Sequence, residues 1–225
     1  MPDSYSITVD LNDPDTLQFL KGKSLRVYKS VRTGATGLPV VWFSQSVFGH
    51  TVSLGWTEQY AGYVTDGGNP VPGMTVKDVS SEPMKLGQLL TAKDDGEVDV
   101  SNKGVAGAIT VANKGTRDWM CGMGQQVNGE LAPICAFDLG GKGEQVIMEP
   151  YEKVLLVFES SAQVDTGTVI AEAISASLTV ELDGEHRSRT VVFRKSTGWT
   201  TNTAGWATQN DSDLGLADAL IVPTA

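Results

Sequence analysis

A chain of 225 residues that is 40% hydrophobic and 20% charged can bury a sizeable core without disulfide or metal staples. Its net charge of −10 and pI near 4.6 exclude a reader of the phosphate backbone, which needs clustered Lys and Arg, and disfavour an anionic membrane surface as partner. No apolar run reaches the roughly 18 residues of a membrane-spanning helix, so no transmembrane helix is expected, and 25 Gly with 9 Pro mark a turn-rich chain.

The first residues, MPDSYSITVD, carry neither a basic region nor an apolar run. A cytoplasmic protein is therefore expected, with a secreted mature form as the alternative. Tyr5, Ile7 and Val9 alternate with polar neighbours and predict a first strand. Asp13-Pro14-Asp15-Thr16 then reads as the start of a short helix, with Asp13 as cap, Pro14 at the first helical position and Gly22 as the stop. Leu25, Val27 and Val31 predict a second strand, and Pro39 to Phe43 a short apolar one.

The stretch Thr51 to Thr65, TVSLGWTEQYAGYVT, is the longest clean alternation and organises the rest. Val52, Leu54, Trp56, Tyr60 and Val64 share one face, and Glu58 interrupts it. Asp66 to Gly73 is a loop by composition, followed by a candidate strand at 74–79. Ser81 to Thr91 is ambiguous between a helical turn and extended chain, and Val105 to Val111 is strand-like. Arg117 to Met123 and Ala132 to Leu139 flank QQVNGEL as a hairpin, which would set Cys121 and Cys135 on neighbouring strands. Both cysteines are expected to be structural and reduced. Lys153 to Phe158, nearly continuous in apolar residues, predicts a central strand.

Thr166 to Leu182 is the second long alternation, with Ile170, Glu172, Ile174, Leu178 and Val180 in phase, and Asp183-Gly184 reads as a hairpin turn into Arg189 to Arg194. Residues 196–215 change character, forming a polar loop that carries Trp199 and Trp206. Ala219 to Val222 reads as a terminal strand. Together these elements predict an all-β fold: a single-domain antiparallel two-sheet β-sandwich over residues 1–225, jelly-roll-like, with at most one or two short helices.

Chemistry is faint. His50 and His186 show no ligand spacing with the cysteines, so neither a metal nor a cofactor is expected. Glu58 and Glu172 each fall on the apolar face of a long alternation, where an ionised carboxylate is costly. Facing one another, they would suit acid and base roles in a cofactor-free hydrolase. The structural alternative pairs each with a cation such as Arg32, Arg117 or Lys153, or sets it beyond a sheet edge. Trp199 and Trp206 could stack on sugar rings or enter a membrane interface, with Trp56 and Tyr60 as further ligand-binding aromatics; otherwise they cover a sheet end. The expectation is a non-catalytic, lectin-like binding protein for a carbohydrate or protein surface, open to homo-oligomerisation. A hydrolase using Glu58 and Glu172 is the alternative, and a pore-forming toxin releasing amphipathic hairpins is the third reading.

Overall fold

A computed structural model describes residues 4–77, 80–160, 164–200 and 205–224. The chain begins with β1 (Ser4–Asp10), α1 (Pro14–Phe19), β2 (Lys23–Arg32), β3 (Gly37–Pro39), β4 (Phe43–Gln45), β5 (Thr51–Thr65) and β6 (Ser80–Met84). It continues through β7 (Gln88–Ala92), β8 (Val98–Ser101), β9 (Ile109–Asn113), β10 (Trp119–Val127), β11 (Glu130–Pro133), β12 (Cys135–Gly140) and β13 (Gln145–Ser160). Then come β14 (Glu172–Ala173), β15 (Ser177–Glu181), β16 (Ser188–Arg194), β17 (Gly198–Thr200), β18 (Ala207–Asn210) and β19 (Leu214–Gly215), before α2 (Leu216–Leu220) and β20 (Ile221–Val222).

The fold is all-β, with two short helices among the described residues. One large sheet runs β17-β16-β1-β5-β10-β12-β3, with β6 on β5 and β11 on β10. The other runs β18-β15-β13-β9-β7-β8, with β2 on β13 and both β4 and β20 on β2. The sheets are mixed, which corrects the purely antiparallel expectation. β1 pairs with β16, β7 with β9 and β2 with β20 in parallel. Such pairs need long crossovers, and Ser6 opposite Ser188 shows how far the chain travels to make one.

Alternation places the core. Ile7, Val9, Leu54 and Val64 of the first sheet meet Leu25, Val27, Leu156 and Val180 of the second in one buried cluster. The middle strand β13 is apolar on both faces because its outer face is covered too. Leu155 and Val157, with Tyr28 of β2, lie beneath Leu216 and Leu220 of α2 and Ala173 of β14. Helix α1 starts as the sequence predicts: the Asp13 carboxylate accepts the Thr16 amide at 3.0 Å, Pro14 opens the helix, and Gly22 takes φ +77° after it.

Five predicted elements are corrected. Pro39 to Phe43 is not one strand but a crossing, since β3 pairs with β12 of the first sheet and β4 with β2 of the second. The strand read from the alternation at 166–182 is present only as β14 and β15, separated by exposed Ile174 and paired in two different places. Asp183-Gly184 is a turn, but not of a hairpin: β15 belongs to the second sheet and β16 to the first. The polar stretch 196–215 contains β17 and β18, so it is not a free loop. The candidate strand at 74–79 reduces to a bridge between Thr75 and Thr168, and its last two residues lie outside those described.

The hairpin around QQVNGEL is present as β10 and β11, turning at Asn128 (φ 48°) and Gly129 (φ 89°). Cys121 and Cys135 sit on neighbouring strands, buried and unbonded to each other.

Candidate functional site

Charge inside this fold is found on residues other than those singled out from the sequence. On β2, Leu25, Val27, Lys29 and Val31 are in phase, so Lys29 projects between the sheets and is fully buried. Its ammonium contacts the Glu152 carboxylate and lies 4.9 Å from the Trp56 ring centroid and 5.6 Å from that of Trp42. The Trp56 indole N–H donates to the same carboxylate oxygen at 2.8 Å. Trp42 meets Trp56 edge-on at 5.4 Å, and Tyr5 stacks on Trp56 at 5.9 Å.

Glu152 enters this cage because β13 bulges: Tyr151 opposes Ser30, but Val154 already opposes Lys29, leaving Glu152 and Lys153 as extra residues. Burial lowers the Lys29 pKa, and the charges of Glu152 and Glu58 work against that shift. Tyr60, at the edge of the same cage, has its phenol pKa raised by burial first and by the two carboxylates second.

A second ion pair joins Arg26 and Glu159 on the outer face of the second sheet. The other Glu159 oxygen accepts the Ile174 amide at 2.8 Å, tying the irregular segment after β14 to the sheet. Nearby Tyr28 has its pKa raised by burial and by the Glu159 charge.

The residues predicted from sequence are distributed as follows. Glu58 is exposed, accepting a 3.4 Å hydrogen bond from the Tyr5 hydroxyl. Regular alternation would turn it inward, but between Trp56 and Tyr60 the strand has three residues against one on β10. The Gln125 side chain, wholly buried, donates to the Thr57 carbonyl at 3.0 Å and secures this bulge. Glu172 is exposed on β14, paired to β19, in a different sheet from Glu58. Trp56 and Tyr60 are core residues, and Trp56 lies against Lys29. Trp199 is also core, stacked on Phe158 at 5.2 Å and edge-on to Phe193 at 5.1 Å. Trp206 keeps partial exposure, with the Arg189 guanidinium 4.6 Å from its ring centroid.

The residues that share one open concavity are again different. A cleft of about 360 Å³ lies between the outer face of β15 and β18 and the β19–α2 corner. Thr179 opposes Thr208 across the two strands, and Lys153 opposes Glu181, so side chains two apart fall on one face. Thr179, Glu181, Thr208, Asn210, Lys153 and Asp218 line it. The Asn210 amide donates to Ser177 Oγ at 3.1 Å and Thr179 Oγ1 at 3.0 Å, which orients its carbonyl oxygen as an acceptor.

Among the described residues, no group of three or more His, Cys, Asp and Glu is arranged to hold a metal. No family model, curated protein or solved structure matches this chain.

Proposed function

We propose that this protein is a non-catalytic binding module that recognises a hydroxyl-rich ligand, of carbohydrate type, in the cleft between β15, β18 and α2. The observation that carries this reading is the cleft's lining. Two hydroxyls, an oriented amide, two carboxylates and one ammonium converge on a concavity whose floor is a regular sheet. Sugar hydroxyls both donate and accept, and carboxylates and amides held on strands and on α2 meet them without having to be ordered on binding. Trp206, immediately before β18 and partly exposed, is the aromatic placed nearest to this strand in sequence.

The interior charges support a scaffold role for the rest of the domain. Glu152, between the sheets, and Glu159, covered on the outer face of the second sheet, each face a cation. Glu58 and Glu172 lie on different sheets in exposed positions, so the acid–base pairing they were considered for finds no support in their placement.

The test is a glycan array followed by calorimetry on any glycan retained. Asp218→Ala and Asn210→Ala are expected to weaken binding at least tenfold while leaving the thermal midpoint within a few degrees, because neither side chain is deep in the core. A protein that retains no glycan, or variants that bind as tightly as the wild type, would remove the reading.

A further inference from the structure

The cage around Lys29 has a chemistry of its own, independent of the cleft. Lys29 on β2 and Glu152 on β13 are held together, amine against carboxylate, beside the rings of Trp42 and Trp56. We propose that Lys29 and Glu152 become joined through their side chains by an intramolecular amide that covalently staples the two strands.

Three features carry it. First, the two groups are held in contact by the sheet itself: β2 and β13 are adjacent, and the bulge at Glu152 turns that side chain onto the lysine. Amine and carboxyl so held react with effective molarities on the order of 10⁵ M or more. Second, Lys29 is wholly buried, and burial favours its neutral amine, the nucleophilic form. Third, the Trp56 N–H donates to Glu152 Oε2 at 2.8 Å, which draws electron density from the carboxyl carbon during attack.

The step balances without an oxidant or co-reactant. Lys29 first passes a proton to Glu152, giving an amine and a carboxylic acid. The Nζ lone pair forms a bond to Glu152 Cδ, one bond beyond the oxygen it already touches. Nitrogen then passes a second proton to the Glu152 hydroxyl, which departs as water. One C–N bond forms, one C–O bond breaks, and one water leaves. The product is a neutral amide in place of two buried charges, which removes the cost of keeping them ionised there.

Intact-mass spectrometry of the purified wild-type protein tests this directly. With the N-terminus accounted for, the expected mass is below that of the sequence by one water, about 18 Da. Trypsin should then give a branched peptide joining residues 27–32, uncut after Lys29, to residues 143–153. A mass equal to that of the sequence would overturn the proposal. So would a missing water that maps to a succinimide at Asp66-Gly67, Asp95-Gly96 or Asp183-Gly184. Lys29→Arg should restore the full mass, and the same loss persisting in that variant would also refute the assignment. If the variant does not fold, the wild-type peptide map decides alone.

Discussion

Glu152 reaches Lys29 because β13 carries two extra residues opposite β2, between the pairs Tyr151–Ser30 and Val154–Lys29. A single irregularity in a central strand thus converts a solvent-edge sequence, Tyr-Glu-Lys, into one half of a sequestered ion pair. The same device works in the opposite sense on β5, where a bulge expels Glu58 from the face it would otherwise occupy.

The second buried pair sets an energetic expectation. Arg26 and Glu159 are each almost fully covered, with side-chain exposures of 7% and 6%. Glu159→Ala removes one partner and leaves a guanidinium desolvated, so it should cost about 3–5 kcal/mol. Replacing both residues with Met should cost much less than that. Urea melts of the three proteins check this, and a double variant as unstable as the single one would contradict it.

Alkaline pH should destabilise the fold. Cys121 and Cys135 have an ordinary pKa of 9.0 that burial raises, Cys135 to about 12. Tyr28, Tyr60 and Tyr63 are likewise raised from 10.0 by burial. The folded state holds these protons after the unfolded chain has released them. Their stabilisation is therefore complete below pH 9.0 and is lost as pH rises, each group adding a slope of at most about 1.4 kcal/mol per pH unit. A free Lys29 acts oppositely, because its pKa is lowered in the fold: stability rises with pH until the unfolded value of 10.5. Five groups against one give a net fall above pH 10.0, steeper still if Lys29 is bonded and cannot titrate. Urea midpoints measured from about pH 7 to 11 should drop in the last unit; a flat or rising midpoint there would be inconsistent with this burial.

Both thiols should be inert in the native protein. Cys121 and Cys135 are wholly buried and their pKa values are raised, so little thiolate is available to react. A thiol reagent is expected to label neither residue rapidly at neutral pH and both after denaturation. Fast native labelling would place them nearer the surface.

Two tryptophans of one sequence segment should differ sharply. Trp199→Ala empties a site stacked against Phe158 and Phe193 and should cost about 3–5 kcal/mol. Trp206→Ala, at a partly exposed ring, should cost much less, and glycan binding is the readout that could reveal a role for it. Equal losses of stability would show that both are core.

The sequence carried the strands better than the sites. The alternation from Thr51 to Thr65 marked β5 to the residue, and the signals at Asp13 and Pro14 marked α1, because both depend on local chemistry. What alternation could not show was where a strand has extra residues. Glu58 and Glu152 were misjudged or missed for that one reason, since a bulge is set by pairing with a distant partner. Lys29 did leave a trace: it falls in phase with Leu25, Val27 and Val31, a cation on an apolar face. The cleft left none. Thr179 and Thr208 face it together only because β15 and β18 pair across 29 positions of sequence, through a segment whose composition reads as loop. The break at 174–176 was hidden for a related reason, because small and β-branched residues continue the alternation through a stretch that the chain uses to change partners.

Close packing makes another expectation. A Cβ on Gly122 would lie 2.1 Å from the Cys135 carbonyl oxygen and 2.4 Å from the Tyr63 hydroxyl, whose own hydrogen bond to that carbonyl is 2.5 Å. Gly122→Ala should therefore destabilise by about 1–3 kcal/mol or more, by separating β10 from β12. At Gly107, where nothing lies within 4 Å, only the left-handed φ of +79° resists a side chain, and Gly107→Ala should cost about 1–2 kcal/mol. Thermal melts of the two variants should rank Gly122→Ala as the worse; the reverse order would contradict the contact.

Recognition of a hydroxyl-rich ligand in the β15–β18–α2 cleft is most directly tested by amide chemical-shift mapping of the whole protein with a glycan retained on an array. The expected result is a set of saturable shifts centred on Thr179, Glu181, Thr208, Asn210 and Asp218, with the core strands β5 and β10 unmoved. Shifts centred on another surface, or no saturable shifts at millimolar glycan, would contradict it.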